Sequence, residues 1–194
     1  MSDNHQSTVA PWFALRVQWK SERAVSTILQ HKGYELFLPQ YRSARQWSDR
    51  VKTLEVPLFP GYLFCRMDLT ERLMPVLTTP GVLSIVGTGK IPEPIPEHEI
   101  EAVRAVLRSG LAATPWTSFA VGDAILIERG PLAGLEGIAI EVENMCRLVV
   151  SIPLLQRSVS VEIDRSWARP TRRSALSHTI AAGSSASLGL RELY

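Results

Sequence analysis

Leu54-Glu-Val-Pro-Leu-Phe-Pro-Gly-Tyr-Leu-Phe-Cys-Arg-Met67 is the stretch that decides how the first half of this chain folds. Pro57 and Pro60 fix their own φ and donate no backbone hydrogen bond, so a helix interior or a central strand is excluded there. After the glycine the residues alternate as in a β-strand, with successive side chains on opposite faces. We expect a stiff turn that presents Phe59 and Tyr62 beside a sheet edge. The alternative is that both rings pack in the core, where most aromatic side chains lie.

Strand and helix patterns flank this stretch on both sides. Residues 12–17 alternate and predict a strand, and Ser21 is a suitable N-cap for a helix that ends near Gly33. Further elements are expected as strands at 35–39 and 82–86, helices at 68–78 and 96–109, a hairpin or flexible excursion at 40–53, and an irregular segment at 87–96. This order predicts an α+β sandwich, an antiparallel or mixed sheet with helices on its faces.

From residue 119 onward the pattern changes to short strands separated by turn residues. Strands are expected at 124–128, 136–143, 146–152 and 157–162, with a fifth near 166–168. Residues 110–118 are a linker candidate between the two halves. The sequence therefore predicts two small domains, as its length of 194 residues allows.

Two motifs carry a resemblance to a known family. Pro57-Leu-Phe-Pro-Gly-Tyr-Leu-Phe64, together with Trp12-Phe-Ala-Leu-Arg-Val17 and Pro80-Gly-Val82, resembles the N-terminal (NGN) domain of the NusG family. Val121-Gly-Asp-Ala-Ile-Leu-Ile-Glu-Arg-Gly-Pro-Leu-Ala-Gly-Leu-Glu-Gly137 resembles a KOW motif. The resemblance covers about residues 11 to 170, and the family consists of transcription elongation factors that bind RNA polymerase.

The resemblance implies a domain organisation. It predicts a disordered leader at 1–10, an NGN domain at 11–109, the linker at 110–118, a KOW domain at 119–170 and a disordered tail at 171–194. The KOW domain is expected to be a small SH3-like β-barrel rather than the helical hairpin of the relative RfaH, because its β-branched residues favour strands. Its expected turn residues are Gly122, Asp123, Gly130, Pro131, Gly134 and Gly137.

The resemblance also implies a polymerase-binding patch. In the family, aromatic and apolar residues around the proline turn bind the clamp helices of the largest polymerase subunit. The matching positions here are Leu58, Phe59 and Tyr62, with Val82 and Ile85 as neighbours. Arg16 departs from the pattern, because some relatives carry an aromatic residue there.

The charge distribution suggests a second partner. Residues 16–52 hold eight Arg or Lys against three acids, whereas residues 119–164 hold three Arg against seven acids, so only the first half favours phosphates. The resemblance to RfaH implies contact with the non-template DNA strand through Gln18, His31 and Lys32, and Arg42, Arg45 and Arg50 around Trp47 would suit single-stranded DNA. The alternative for each is an ordinary solvated surface charge.

The remaining expectations concern the class of protein. The four histidines have no metal-ligand spacing and no nucleophile motif is present, so neither an enzyme, a cofactor nor a metal is expected. A cytoplasmic monomer without a transmembrane helix is expected. The resemblance favours a specialised antitermination paralogue like RfaH. Two alternatives stay open: a housekeeping NusG that links polymerase to Rho or to a small-subunit ribosomal protein, and a KOW-type RNA-binding module.

Overall fold

Two larger antiparallel β-sheets, one in each half of the chain, dominate the fold. The computed structural model describes residues 10–46, 51–89, 91–116, 122–142 and 145–171. The first unit contains β1 (Trp12–Val17), α1 (Glu22–His31), β2 (Glu35–Phe37), β3 (Gln40–Gln46), β4 (Val51–Pro57), β5 (Tyr62–Arg66), α2 (Leu69–Leu77), β6 (Val82–Ile85), β7 (Gly87–Thr88), β8 (Ile91–Pro92) and α3 (Glu97–Arg108).

The strands of the first unit form one main sheet and two small hairpins. The main sheet has the order β2-β5-β1-β6, and all its pairs are antiparallel. β3 and β4 pair only with each other within the described residues, which resolves the 40–53 region as a hairpin. The segment at 87–96 is less irregular than expected, because β7 and β8 form a short hairpin there.

Side chains alternate strictly across the two central strands of the main sheet. Phe13 and Leu15 on β1, and Leu63 and Cys65 on β5, face α1 and α2, as the strand period of two requires. We call this buried group the local cluster, because every member comes from residues 13–76. It contains Phe13, Leu15, Val17, Val25, Leu29, Tyr34, Leu63, Cys65, Met67 and Val76.

The opposite face of the same sheet belongs to a larger core, which we call the shared cluster. Its first-unit members are Trp12, Ala14, Leu58, Phe59, Phe64, Ile95, Ile100, Val103 and Val106. Its second-unit members are Ala113, Ile125, Ile127, Leu132, Leu148, Val150, Ile152, Leu155, Val159, Val161 and Ile163. One buried apolar cluster therefore runs through both halves of the chain, and α3 packs against the second sheet.

The second unit is built almost entirely from strands. Its elements are β9 (Ala113–Trp116), β10 (Asp123–Ile127), β11 (Glu136–Val142), β12 (Met145–Ile152), β13 (Arg157–Glu162) and β14 (Ala168–Pro170), with short 3-10 helices at Pro153–Leu155 and Arg165–Trp167. The strand order is β14-β10-β11-β12-β13-β9. The predicted fold class, an α+β unit followed by a small β-rich unit, is confirmed.

The linker predicted at 110–118 differs from the structure. Residues Ala113–Trp116 form β9 and pair with β13, with Ala113 opposite Val161. Ala113 is buried, and the Thr114 and Ser160 hydroxyls lie 3.1 Å apart, so this segment gains both burial and polar pairing by joining the sheet.

Parts of the expected organisation lie outside the described residues. These are residues 1–9 of the predicted leader and residues 172–194 of the predicted tail. Among the helices that are described, none combines the length and apolar character that a membrane crossing needs.

Candidate functional site

The proline corner is a tight turn between β4 and β5. The Tyr62 amide donates to the Phe59 carbonyl at 3.0 Å, which closes a four-residue turn around Pro60 and Gly61. Gly61 has φ +82°, the left-handed value that a type II turn demands at its third residue, with proline favoured before it. The Pro-Gly pair therefore fixes the direction in which β5 begins.

A buried carboxylate holds this corner against α1. The Gly61 amide donates to Oε1 of Glu22 at 2.8 Å, and the Gly61 carbonyl accepts from the Val17 amide at 2.8 Å. Glu22 is only 4% exposed, although it stands in the first turn of a helix, where an acid is usually solvated. Sequence reasoning missed this residue, because nothing in the pattern around Ser21 distinguishes a capping acid from a buried one.

Leu58 and Phe59 are core residues, which corrects the expectation that the turn presents Phe59 outward and that Leu58 lies in an exposed patch. They are 2% and 1% exposed, and the Phe59 ring meets Phe64 edge-on with centroids 5.5 Å apart. The Leu58 amide also donates to the Pro39 carbonyl at 2.9 Å. The turn reverses the chain so that these side chains fold under the sheet, and the alternative of core packing holds for them. Tyr62 remains half-buried.

The predicted patch is also divided by the sheet. Val82 and Ile85 pair with Val17 and Leu15 and pack against the local cluster. Tyr62 pairs with Arg16, and both lie on the opposite face. The five predicted residues therefore form no single surface.

On the sheet face that carries Tyr62, three residues on neighbouring strands lie side by side and form a different candidate surface. Arg16 on β1 lies opposite Tyr62 on β5 and opposite Ser84 on β6. Arg16 and Ser84 are exposed. We call Tyr62, Arg16 and Ser84 the tyrosine row. It can offer one aromatic ring, one cation and one hydroxyl to a partner that covers this end of the sheet.

The predicted DNA-contacting residues have different environments. The Lys32 ammonium donates to the Pro75 carbonyl at 2.8 Å and to Thr79 Oγ1 at 2.7 Å, so it ties the end of α1 to the end of α2. The His31 ring Nδ1 lies 2.7 Å from the Thr27 carbonyl, and both His31 and Gln18 are exposed.

The remaining basic candidates lie on the β3–β4 hairpin. Arg42 is exposed on β3. Arg45 belongs to the same strand, but its side chain lies outside the described part of the chain, as do Arg50 and Trp47 entirely. Arg42 lies opposite Glu55 of β4, whereas Lys32 contacts the end of α2.

An exposed tryptophan was not among the predicted residues. Trp19 follows β1 and is 68% exposed, and the Lys20 ammonium lies 4.3 Å from the centroid of its ring. Lys20 has φ +65°, a left-handed conformation that lysine seldom adopts. The sequence gives no signal for this exposure, because most aromatic side chains are buried.

Two arginines that add to the basic charge are used inside the fold. The guanidinium groups of Arg66 and Arg104 lie 4.8 and 5.0 Å from the centroid of the buried Trp12 ring. Both also form ion pairs with Glu35, at 3.4 and 3.6 Å. The formal charge of the first unit therefore overstates the number of cationic side chains that are free to bind phosphates.

Glu99 is the described carboxyl group with the most unusual surroundings. It lies on α3, and its Oε2 atom is buried with no hydrogen-bond partner among the described residues. Burial raises the pKa of Glu99 to about 7. This half-buried group therefore changes charge near neutral pH.

The predicted KOW turn residues occupy three places in the second unit, and one of them, Gly137, lies in a strand and not in a turn. Gly122 precedes β10, which Asp123 begins, and Gly137 lies in β11. Gly130, Pro131 and Gly134 form the turn between these strands. Gly130 has φ +80°, and a Cβ there would lie 2.8 Å from the Trp167 ring, so this position requires glycine for two reasons. Within the described ranges, no three His, Cys, Asp or Glu side chains come together as metal ligands would.

Comparisons with known proteins agree with the motif assignments. The family model for the transcription termination factor NusG matches residues 10–104, the whole span from before β1 into α3. The chain belongs to the NusG family. Members of this family are transcription factors and not enzymes.

The relatives extend the similarity into the second unit. The transcription termination/antitermination protein NusG of Buchnera aphidicola is 29% identical over 82% of this chain and 96% of its own length. NusG of Escherichia coli K12 is 31% identical over 58% of this chain and 64% of its own length. A solved structure of Thermotoga maritima NusG aligns over 82% of this chain and 96% of its own with 20% identity and a TM-score of 0.49.

Proposed function

We propose that this chain binds the clamp helices of the largest RNA polymerase subunit and suppresses pausing or termination. The match of residues 10–104 to the NusG family carries this proposal. The contact surface would be the tyrosine row, with Tyr62 as its aromatic anchor and Arg16 as a flanking cation. Leu58 and Phe59 would support it from beneath, because their side chains are buried in the shared cluster.

We choose Tyr62 as the anchor because its ring is partly exposed and its backbone is rigid. Aromatic residues dominate many interfaces, and a single such residue contributes about 2 kcal/mol or more when it is fully covered by a partner. Tyr62 follows the closed Pro-Gly turn, so its backbone needs no further ordering on binding. Factor binding then favours the active conformation of polymerase by differential affinity.

The proposal is tested by transcription on a template with a defined pause site, using purified polymerase. Wild-type protein should shorten the pause lifetime, and Tyr62→Ala should require about thirtyfold more protein for the same effect. Met74→Ala is the matched control, because Met74 is 63% exposed on α2 and lies away from the tyrosine row. Unchanged pausing with wild-type protein would refute the function. Equal activity of the two variants would refute the surface.

We further propose that the exposed residues Gln18, His31 and Arg42 contact the non-template DNA strand. Support comes from their exposure and from the basic excess of residues 16–52. Crosslinking of a non-template DNA strand that carries 5-bromodeoxyuridine in the paused complex tests this proposal. The control substitution is Arg129→Ala, because Arg129 is exposed in the second unit. Loss of crosslinking only in a Gln18→Ala, His31→Ala, Arg42→Ala triple variant is expected.

The specialised antitermination role, in place of a housekeeping role, remains the preferred form of the proposal. It predicts weak or absent binding of Rho through the second unit, which carries a net negative charge over residues 119–164. A pull-down of Rho by the full chain at about micromolar concentration would favour the housekeeping role.

A further inference from the structure

A crevice separates the β3–β4 hairpin from the start of the second sheet. Residues 40–43 form one wall, residues 110–114 form the other, and Leu107 of α3 completes the lining. Its volume is about 690 Å³. None of the three residues of the tyrosine row lines this crevice, so the two surfaces are separate.

One wall of the crevice is the edge of β3, and the other wall leads from residues 110–112 into the edge of β9. In a strand, successive side chains point to opposite faces, so a wall formed by a sheet face would contribute every second residue. Here four successive residues of β3 line one side, and successive residues leading through Thr114 line the other. Among the described residues β3 pairs only with β4, and β9 pairs only with β13. Two strand edges with no described strand partner therefore border one opening.

The side chains around the opening combine apolar and cationic character. Leu107, Leu111 and Tyr41 are half-buried and pack against the shared cluster. Arg42 is exposed, and its cross-strand neighbour Glu55 forms its ion pair with Arg23, at 2.7 Å. No acidic residue belongs to the described lining. An occupant with apolar residues and carboxylates in alternation would match these surroundings.

We propose that this crevice binds an extended acidic segment of a partner protein, which adds a strand between β3 and β9. The backbone N–H and C=O groups of the two edges would bind the segment on both sides, as in strand addition to an open sheet edge. Alternate side chains of the segment would reach either Leu107 and Leu111 or the Arg42 guanidinium, which pairs well with carboxylates.

The crevice could bind either a partner protein or residues 172–194 of this chain, and the charge of the segment distinguishes the two. Residues 172–194, which follow β14 in the sequence, are the alternative occupant, but they contain Arg172, Arg173 and Arg191 against Glu192. A basic segment would meet Arg42 with like charge, which disfavours it. We therefore assign the crevice to a segment from another protein, and this segment would compete with the DNA strand for Arg42.

The first experiment measures binding of a fluorescein-labelled peptide of alternating glutamate and valine to the full chain by anisotropy. We expect saturable binding, about tenfold weaker for Arg42→Glu, and unchanged for Arg129→Glu, which reverses an exposed charge elsewhere. A peptide of alternating lysine and valine should show the reverse preference, binding Arg42→Glu better than wild type. No saturable binding below about 1 mM, or equal binding by both variants, would overturn the proposal.

The second experiment tests the main-chain pairing without altering the protein. A peptide of the same sequence carrying N-methyl groups at alternate residues cannot donate from those amides, so its affinity should fall about tenfold. Hydrogen exchange at residues 112–114 should slow on addition of the unmethylated peptide. Equal affinity of both peptides would overturn strand addition. If removal of residues 172–194 raised peptide affinity more than about tenfold, the tail would be the occupant and a partner would not.

Discussion

The two faces of the β2-β5-β1-β6 sheet differ in what they stabilise. The local cluster lies under α1 and α2 and draws only on residues 13–76. The shared cluster begins at Trp12 on the other face and continues into β12 and β13 of the second unit. One face therefore stabilises the first unit by itself, whereas the other also joins the two units.

This difference explains why the sequence-based expectation for the proline corner is wrong. The side chains before the turn enter the shared cluster, whereas Tyr62, which packs against the same cluster, is only half-buried. A double-proline turn is stiff, but stiffness alone does not determine which way the flanking rings point. The shared cluster needs large side chains because it fills the space between two units.

The most severe test of the shared cluster is Phe59→Ala. Removing this ring should cost about 3–5 kcal/mol of unfolding free energy, because it leaves a cavity beside Phe64. Since the cluster joins both units, hydrogen exchange should accelerate in β5 and also in β12. Urea unfolding and exchange detected by mass spectrometry measure the two effects.

Leu29→Ala is the matched change in the local cluster. Leu29 is 0% exposed on α1, and its truncation should cost about 2–5 kcal/mol. Exchange should accelerate in β5 and less in β12. Equal acceleration of β12 in both variants would abolish the distinction between the two clusters.

The cysteines report on the two units separately. Burial in the local cluster raises the pKa of Cys65 to about 12, and partial burial raises the pKa of Cys146 in the second unit. Because the thiolate is the reacting form, iodoacetamide at about pH 8 should modify Cys65 at least about a hundredfold more slowly than Cys146. Peptide mass mapping measures both rates. Comparable rates in folded protein would show that the local cluster opens easily.

Glu99 provides a pH-dependent test of the helix that packs on the second sheet. Its folded pKa of about 7 exceeds the ordinary carboxyl value of 4.5, so the folded state binds the proton more tightly. Stability should therefore fall as pH rises from about 4.5 to 7 and stay lower above that range. Glu99→Gln should remove this dependence and gain about 1 kcal/mol near pH 8, after allowance for solvent screening.

Unfolding of the wild type and the variant at a series of pH values measures this effect. Glu101→Gln is the control. Arg104 holds the pKa of Glu101 below its ordinary value, so removing the Glu101 carboxylate should lower stability at pH 8, where Glu99→Gln should raise it. A wild-type pH profile unaffected by Glu99→Gln would contradict the assignment.

The smallest expected effect concerns Lys32. Lys32→Met removes two hydrogen bonds between the ends of α1 and α2 and should cost about 0.5 kcal/mol, because the ammonium is exposed. Thermal unfolding measures the loss, with Arg129→Met at an exposed position as the control for the loss of one charge. If Lys32→Met left stability unchanged but weakened non-template crosslinking, Lys32 would serve DNA and not the fold.

The sequence predicted the local features well and the distant ones poorly. Alternation in residues 12–17 and 62–67, and the helix signals at Ser21 and Pro96, depend on neighbours within a few residues. Burial of Glu22 by the Gly61 amide, and pairing of Ala113 with Val161, depend on residues far apart in the chain. The predicted patch is divided between two sheet faces for the same reason. The register of β6 on β1 places Val82 opposite Val17, and the sequence of β6 alone does not reveal that register.

The bond between Glu22 and the Gly61 amide has a mechanical consequence. A partner that pulls on Tyr62 transmits the load through one turn of backbone directly into the first turn of α1. If Tyr62 anchors the protein to polymerase as proposed, the moving enzyme would pull on a turn that is already hydrogen-bonded to α1, and no loose segment would have to extend first.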